Sequence, residues 1–476
     1  MLGERSLGSL IRNKGREGRR GFTLPRLDVE KTDLEKVLPK KSLRKEKPGL
    51  PEVDEPTAIR HYTNLSRKNW GIDTNFYPLG SCTMKHNPRA NEAAAAVPGF
   101  AGLHPLQPEK GSQGALRVMH ELQGFLSEIS GLPAVSLQPM AGAQGELTSI
   151  LMVKRYFEDA GDDERTTVLV PATAHGTNPA TASMADFKSV EVGLDEHGCV
   201  DVDELREKVD ETTAALMITN PNTCGVYERN ITEIAEVLHE KGAFLYMDGA
   251  NMNANLGRMR PADAAVDIMH FNLHKTFSTP HGGGGPGCGA IACSETLAPF
   301  RPDPAVEKDG DVYRFFRPEK TIGRMSTFHG NFGVILKAWN YIKMHGPELR
   351  GVTDMAVLNA NYVRARLRGA FRVPYDELCK HEVVVQPPKG MKALDIAKGL
   401  IDHGYHPPTI YFPLVVKEAM LIEPTETESK ETLDDFIGAM LELAESEQEE
   451  LEEAPTHAPT RRLDETRAAR NLKARW

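Results

Sequence analysis

No stretch of the chain carries an apolar run near the roughly 18 residues that a bilayer-spanning helix needs, so a membrane partner is not expected. Cysteine is scarce. Six residues, Cys82, Cys199, Cys224, Cys288, Cys293 and Cys379, are spread over 476 positions with no Cys-x-x-Cys pair. That excludes a disulfide scaffold and fits a reducing cytosol, so a cytoplasmic location is expected. Cys288 and Cys293 flank Gly-Ala-Ile-Ala, which reads as a buried strand, and a structural role is preferred over a metal pair. Positive charge is not in excess either. Lys and Arg total 57 against 67 Asp and Glu, a net charge of −10, which argues against nucleic acid as the main partner. His281 and the glycines after it suggest a lipase oxyanion loop, but a Gly-x-Ser-x-Gly nucleophile elbow is missing. The same glycines lack the Gly-Lys-Ser/Thr ending of a P-loop. There is no internal repeat and no low-complexity segment.

What remains is ordinary globular material, 40% hydrophobic and 26% charged, long enough for two to three domains. Residues 1–55 are rich in Lys, Arg and Pro with weak periodicity and read as an extended arm. Residues 1–21 are Arg-rich but interrupted by Glu4 and Glu17, without the apolar stretch of a signal peptide. Leu116, Met119, Leu122, Leu126 and Ile129 form one helix face, closed by Gly131-Leu132-Pro133. Short apolar runs follow at 167–170, 214–219, 243–247 and 266–271, with helical periodicity between several of them. Such runs separated by helices indicate an α/β domain with a mainly parallel sheet covered on both faces. Ligands on such sheets sit beyond the carboxyl ends of the strands. We expect this large domain at 56–330. A smaller α+β domain is expected at 331–455, with a helix at 332–345, a strand at 382–385, a helix at 394–401, a strand at 420–423 and a helix from Ser429. The acidic run 445–453 reads as the solvated end of that helix, and 456–476 as a basic tail.

The residues with chemical potential follow the strands. After 266–271 comes Asn272-Leu273-His274-Lys275, then a Gly-rich loop at 282–285. A partly desolvated lysine there suits a Schiff base to a cofactor, because burial lowers an amine's pKa. Taken alone, the segment reads as an exposed loop lysine. The run 243–247 ends in Asp248-Gly249-Ala250. A carboxylate there would keep a cofactor's pyridine nitrogen protonated, and Ala250 would leave room for a flat ring. Asp248 could equally be a helix cap or a metal ligand. His175, after 167–170, could lie on the opposite ring face or be a structural turn histidine. The small residues around Ala143, Gln144, Gly145 and Glu146 open a helix, and helix N-termini favour anions such as phosphate. The order of phosphate loop, stacking His, strand-end Asp and Lys resembles fold-type I pyridoxal-phosphate enzymes.

Longer runs narrow the resemblance. Phe-Tyr-Pro-Leu-Gly-Ser-Cys-Thr-Met-Lys at 76–85, Leu-His-Pro-Leu-Gln-Pro at 103–108 and His-Gly-Thr-Asn-Pro-Ala at 175–180 resemble the glycine decarboxylase P-protein family. So do Thr-Asn-Pro-Asn-Thr at 219–223, residues 273–287, Gly-Tyr-His-Pro-Pro-Thr at 404–409 and Ile-Glu-Pro-Thr-Glu-Thr-Glu-Ser at 422–429. The likeness extends from about Arg16 to Trp476 and is to the second, lysine-bearing subunit of the split form. His86, where a Tyr is expected, departs from it. The resemblance implies pyridoxal 5′-phosphate as cofactor and an oxidoreductase step. Glycine would lose carbon dioxide, and its aminomethyl group would pass to the lipoyl arm of H-protein. It implies Lys275 as the Schiff-base lysine, Asp248 as pyridinium partner and His175 as the stacking residue. Residues 143–146, Asn272 and His274 would surround the phosphate, with Thr223 and Asn222 near the ring hydroxyl. It also implies a first subunit as partner, in a complex with two copies of each.

Overall fold

The computed structural model describes residues 10–46, 48–282, 287–458 and 460–472. The chain divides into two compact units, Met1–Thr74 with Pro455–Trp476, and Asn75–Ala454. The first unit is mostly exposed. Its longest helix, Glu55–Ser66, starts at Asp54, whose carboxylate accepts the Thr57 N–H at 2.8 Å. Before that helix the described residues form short helices at Ile11–Lys14, Leu34–Val37 and Lys40–Ser42 joined by turns and extended backbone, with Phe22 and Leu24 more than four-fifths exposed.

The second unit carries the chemistry. Helix α1 (Gln113–Ser130) buries Leu116, Met119, Leu122 and Leu126 along one face and ends at Gly131, whose φ of 76° is left-handed. Among the described residues, seven strands form one sheet: β1 (Ala134–Ser136), β2 (Thr167–Pro171), β3 (Lys188–Val192), β4 (Thr213–Thr219), β5 (Phe244–Gly249), β6 (Ile268–Asn272) and β7 (Gly289–Cys293). Their order is β1-β7-β6-β5-β4-β2-β3. Neighbours from β3 through β6 pair parallel, while β7 runs against both β6 and β1. All seven residues of β4 are buried, which is why it reads as an uninterrupted apolar run. Each of Leu216, Met217 and Ile218 contributes about 1.5–3 kcal/mol by burial. A one-residue slip would exchange the two faces and lose that fit. Helix α2 (Gly142–Ala160) packs across β6 and β7, and α3 (Thr177–Met184) and α4 (Ile231–Glu240) connect later strands. Cys288 and Cys293 are buried at either end of β7, and burial pushes both thiols up to about 12.

A hairpin of β8 (Ala305–Asp309) and β9 (Val312–Phe316) follows. Helix α5 (Phe332–His345) places Val334, Ile335 and Leu336 in the core of the large sheet. Helix α6 (Leu349–Leu367) begins in that core with Val352 and ends in a second core with Ala360, Val363 and Leu367. The change of core falls inside α6; the expected boundary at 331 lies ahead of it. The second core backs a small antiparallel sheet of β10 (Val383–Val385), β11 (Thr409–Ile410) and β12 (Met420–Ile422), in the order β10-β12-β11. Helices α7 (Ala393–Asp402) and α8 (Lys430–Glu445) cover it, the latter capped by Ser429, whose hydroxyl accepts the Thr432 N–H.

One expectation fails here. The acidic run is not the end of α8. Ser446 turns the backbone to extended conformation, and α9 (Gln448–Glu453) starts a separate helix. Leu451 is the reason, since it is buried in the second core, while Gln448 donates to Asp395 at 3.0 Å. An apolar anchor inside a charged run redirects the chain.

Candidate active site

A cavity of about 410 Å³ opens beyond the carboxyl ends of β2, β4, β5 and β6. Strand register builds its floor. Asp248 on β5 is paired with Thr219 on β4 and with His270 on β6. Residues in register on parallel strands share a face, as do residues two apart on one strand. Tyr246 and Asn272 therefore join the same row. The Tyr246 hydroxyl lies 2.6 Å from His270 Nδ1, and His270 Nε2 lies 2.6 Å from Asn272 Oδ1. Burial raises the Tyr246 pKa well above its usual value and lowers that of His270. The phenol therefore keeps its proton and donates it to a neutral imidazole, whose Nε2–H faces Asn272 and Asp248.

Asp248 is buried and oriented from several sides. Its Oδ1 accepts the Ala250 N–H at 2.8 Å, and its Oδ2 receives the Asn178 amide at 3.4 Å. The same amide donates to Glu146 at 2.8 Å, and the Thr177 hydroxyl donates to the other Glu146 oxygen at 2.9 Å. Burial, then the nearby Asp248 charge, push Glu146 up to about 7. Lys275 enters from the loop after β6, and its Nζ donates to the Ser81 carbonyl at 2.7 Å. His175 is exposed and lines the cavity, with its Nδ1 held 2.9 Å from the Thr177 hydroxyl and its ring edge-on to Phe412.

The structure brings together Lys275, Asp248, Ala250, His175, Ala143, Glu146, Asn272 and Thr223 on one cavity. Several of the expected contacts are engaged elsewhere or unsuited to a phosphate. The Gln144 amide is spent on the Met140 N–H and the Met325 carbonyl, each at 2.7 Å. Gly145 serves packing: a Cβ there would lie 2.9 Å from His270 Cβ, so the glycine lets α2 approach β6. Glu146 is an acid beside another acid, the wrong sign for a phosphate. His274 has both ring nitrogens engaged, by Asn272 and by the Cys288 carbonyl. Asn222 turns its amide to Gly198 and its carbonyl to the Cys224 N–H. Thr223 donates its hydroxyl to the Thr173 carbonyl. His86 is exposed and away from the cavity. Of the expected Gly-rich loop, Gly283, Gly284 and Gly285 lie outside the described residues.

The sequence reading missed His270, Thr177, Asn178, Thr219, His281 and the turn at 79–82 as cavity or network residues. His270 sits inside an apolar strand. Only its place two positions before Asn272 could have marked it.

A pyridoxal phosphate molecule suits this donor set. The first turn of α2, with Ala143 on the cavity wall, offers backbone N–H groups that a helix cannot use itself. Asp248 would meet a pyridine nitrogen and Lys275 an aldehyde. Thr219 Oγ1 and His281 Nε2 line the cavity, buried without a hydrogen-bond partner. Such atoms are costly unless a polar ligand meets them.

A sheet with one reversed strand, a lysine past β6 and a carboxylate at the end of β5 define a fold-type I pyridoxal-phosphate enzyme. Known proteins agree. A model of aminotransferase class-V matches residues 144–302, and one of the glycine dehydrogenase C-terminal domain matches residues 352–466. A probable glycine dehydrogenase (decarboxylating) subunit 2 of Halalkalibacterium halodurans is 55% identical, covering 98% of both chains. Its counterpart in Alkaliphilus oremlandii is 49% identical over the same shares. The solved structure of a glycine decarboxylase (P-protein) of the glycine cleavage system, in inhibitor-bound form, superposes with a TM-score of 0.74. It is 22% identical and covers 86% of this chain and 95% of its own. A NifS-like protein shares the fold at a TM-score of 0.62, with 17% identity over 78% of this chain and 99% of its own. The chain belongs to the glycine dehydrogenase (decarboxylating) subunit 2 family.

Proposed function

We propose that this chain catalyses the pyridoxal-phosphate-dependent decarboxylation of glycine, as a glycine dehydrogenase (aminomethyl-transferring), with Lys275 as the cofactor's anchor. The observation that carries the reading is the row Thr219, Asp248 and His270 beneath a cavity that Lys275 enters from the next loop. When bound, the cofactor supplies an electron sink for the pair left on the α-carbon as carbon dioxide departs. The protein supplies the rest. Lys275 would provide the amine that anchors the cofactor's aldehyde, and its Nζ is held in the cavity by the Ser81 carbonyl. Asp248 holds a proton at the pyridine nitrogen. Its carboxylate is oriented by the Ala250 N–H, Asn178 and His270. Burial and the Asp248 charge push Glu146 up to about 7, which favours its protonated form below that pH and reduces the negative charge beside the ring. His175 covers a ring face, and Ala250 leaves space on the other. The N-terminal turn of α2 at Ala143 and the Asn272 amide would hold the phosphate.

The aminomethyl group then passes to the lipoyl arm of H-protein. The relatives' designation as subunit 2 supports a first subunit as partner; a complex with two copies of each, working in the cytoplasm, belongs to the same proposal. No described helix is long and apolar enough to cross a membrane. Phe22, Leu24 and Leu27 are each at least 73% exposed in the N-terminal arm, where a partner surface would cover them. The decisive experiment is borohydride reduction of the cofactor-loaded protein followed by peptide mapping. The pyridoxyl label belongs on Lys275; a label on another lysine defeats the assignment. Glycine–bicarbonate exchange with H-protein and the first subunit tests the reaction.

A further inference from the structure

The turn that meets Lys275 is held from the small sheet. Ser81, whose carbonyl accepts the Lys275 amine, has φ 67°, and Thr83 has φ 47°. Residues other than glycine adopt that left-handed region at a cost, and persist there when the surroundings hold them. Here the holders are explicit. The Ser81 N–H donates to Glu382 Oε2 at 2.8 Å. The Thr83 N–H donates to Glu423 Oε2 at 2.8 Å, and its hydroxyl donates to Glu423 Oε1. The Gly80 N–H donates to the Leu421 carbonyl at 3.1 Å, and the Thr409 hydroxyl donates to the Gly80 carbonyl at 2.8 Å. Gly80 has no room for a side chain, since a Cβ would lie 2.6 Å from the Leu421 carbonyl oxygen.

The two carboxylates come from one spot. Glu382 precedes β10 and Glu423 follows β12, flanking the register pair Val383 and Ile422. Both are wholly buried. We propose that Glu382 and Glu423 are positioning residues for cofactor attachment: by fixing the Ser81–Thr83 turn they place the Ser81 carbonyl, and through it the Lys275 amine. The inference rests on Lys275 being the cofactor lysine.

The pair has unequal parts. Burial, then the Glu423 charge, raises Glu382 well above the usual carboxylate range, and burial also raises Glu423. Thr83 offers Glu423 two close donors that favour its ionised form, whereas Glu382 has one close donor in Ser81 and the Asn251 amide farther off at 3.4 Å, so the charge settles on Glu423 and Glu382 keeps the proton. His381 Nε2, 3.7 Å from Glu423 Oε1, stays uncharged because burial pushes it down to about 3. A glutamine at 382 therefore reproduces the protonated acid, while a glutamine at 423 offers one acceptor where two donors arrive.

The test separates binding from attachment. Apoproteins of wild type, Glu423→Ala, Glu423→Gln, Glu382→Ala and Glu382→Gln are first checked for a cooperative melt. Pyridoxine 5′-phosphate, which lacks the aldehyde, reads non-covalent binding by calorimetry. Pyridoxal 5′-phosphate with timed borohydride quenching reads attachment to Lys275. A misplaced reacting amine costs up to about 100-fold, so attachment in Glu423→Ala should slow at least about tenfold, with pyridoxine phosphate affinity held within about threefold. Glu423→Gln should fall between Glu423→Ala and wild type, and Glu382→Gln should attach faster than Glu382→Ala. Wild-type attachment rates in folded Glu423→Ala and Glu382→Ala would overturn the proposal. So would an equal loss of binding and attachment, which reports a collapsed cavity. A wild-type label away from Lys275 would overturn the lysine assignment instead.

Discussion

Nε2 of His270 lies 3.5 Å from Oδ1 of Asp248, in register on adjacent parallel strands with both side chains buried. The imidazole is neutral because burial disfavours its cation, so it steers the carboxylate without cancelling its charge. Asp248→Asn removes the charge and keeps the shape. The variant should fold and retain some cofactor binding, yet lose decarboxylation by about 100-fold or more, since proton placement contributes on that order. Turnover near wild type in a folded Asp248→Asn protein would remove Asp248 from this role.

On the proposed reading, His175 acts through contact area. Its Nδ1 is already held by Thr177, so its charge chemistry is limited. His175→Phe should keep more cofactor affinity than His175→Ala, which should lose about fivefold to tenfold for roughly 1 kcal/mol of ring contact. Titration of the apoproteins with pyridoxal phosphate decides it. Equal affinities in both variants and wild type would place His175 off the ring.

Glu146 gives the apoprotein a pH dependence. Its folded pKa of about 7 stands above the ordinary 4.5, so the folded state holds the extra proton between those values. Stability from this group is full below pH 4.5 and falls as pH rises through 7. Glu146→Gln cannot ionise. The difference in Tm, variant minus wild type, should therefore become more positive from pH 5 to pH 8. A difference that stays flat across that range would show that Glu146 is ionised throughout.

Assembly is open to direct measurement. Alone, the chain should self-associate and exchange glycine carboxyl with bicarbonate slowly. Adding the first subunit should give a defined species with two copies of each and restore exchange. Size-exclusion chromatography with light scattering reads the first, and labelled bicarbonate incorporation the second. Full exchange by a chain-only homodimer would refute the need for a partner.

The strands of the large sheet were legible because burial on both faces leaves continuous apolar runs, as in β4. Helix α5 falls at the expected 332–345, and α8 starts at Lys430, beside the expected start at Ser429. The shared place of Lys275, Asp248 and His175 on the cavity was legible because each follows a strand of the sheet. The glycines at the start of α2 misled. Gly145 reads as a phosphate contact in one dimension, but in three it is clearance for His270. The break at Ser446 was hidden by the charge around Leu451. Glu382 and Glu423 could not be found at all, because their meaning lies in a turn some three hundred residues away.

That separation governs how the protein is made. Ser81 meets Glu382 across 301 residues of chain, and Thr83 meets Glu423 across 340. During synthesis the sheet strands β1 to β7 can pair while the small sheet is still unmade. The turn over Lys275 cannot settle until β12 has left the ribosome and closed those two long loops. On the proposed role of that turn, acquisition of the cofactor falls at the end of biogenesis, and a truncated or stalled chain has the lysine without its seat.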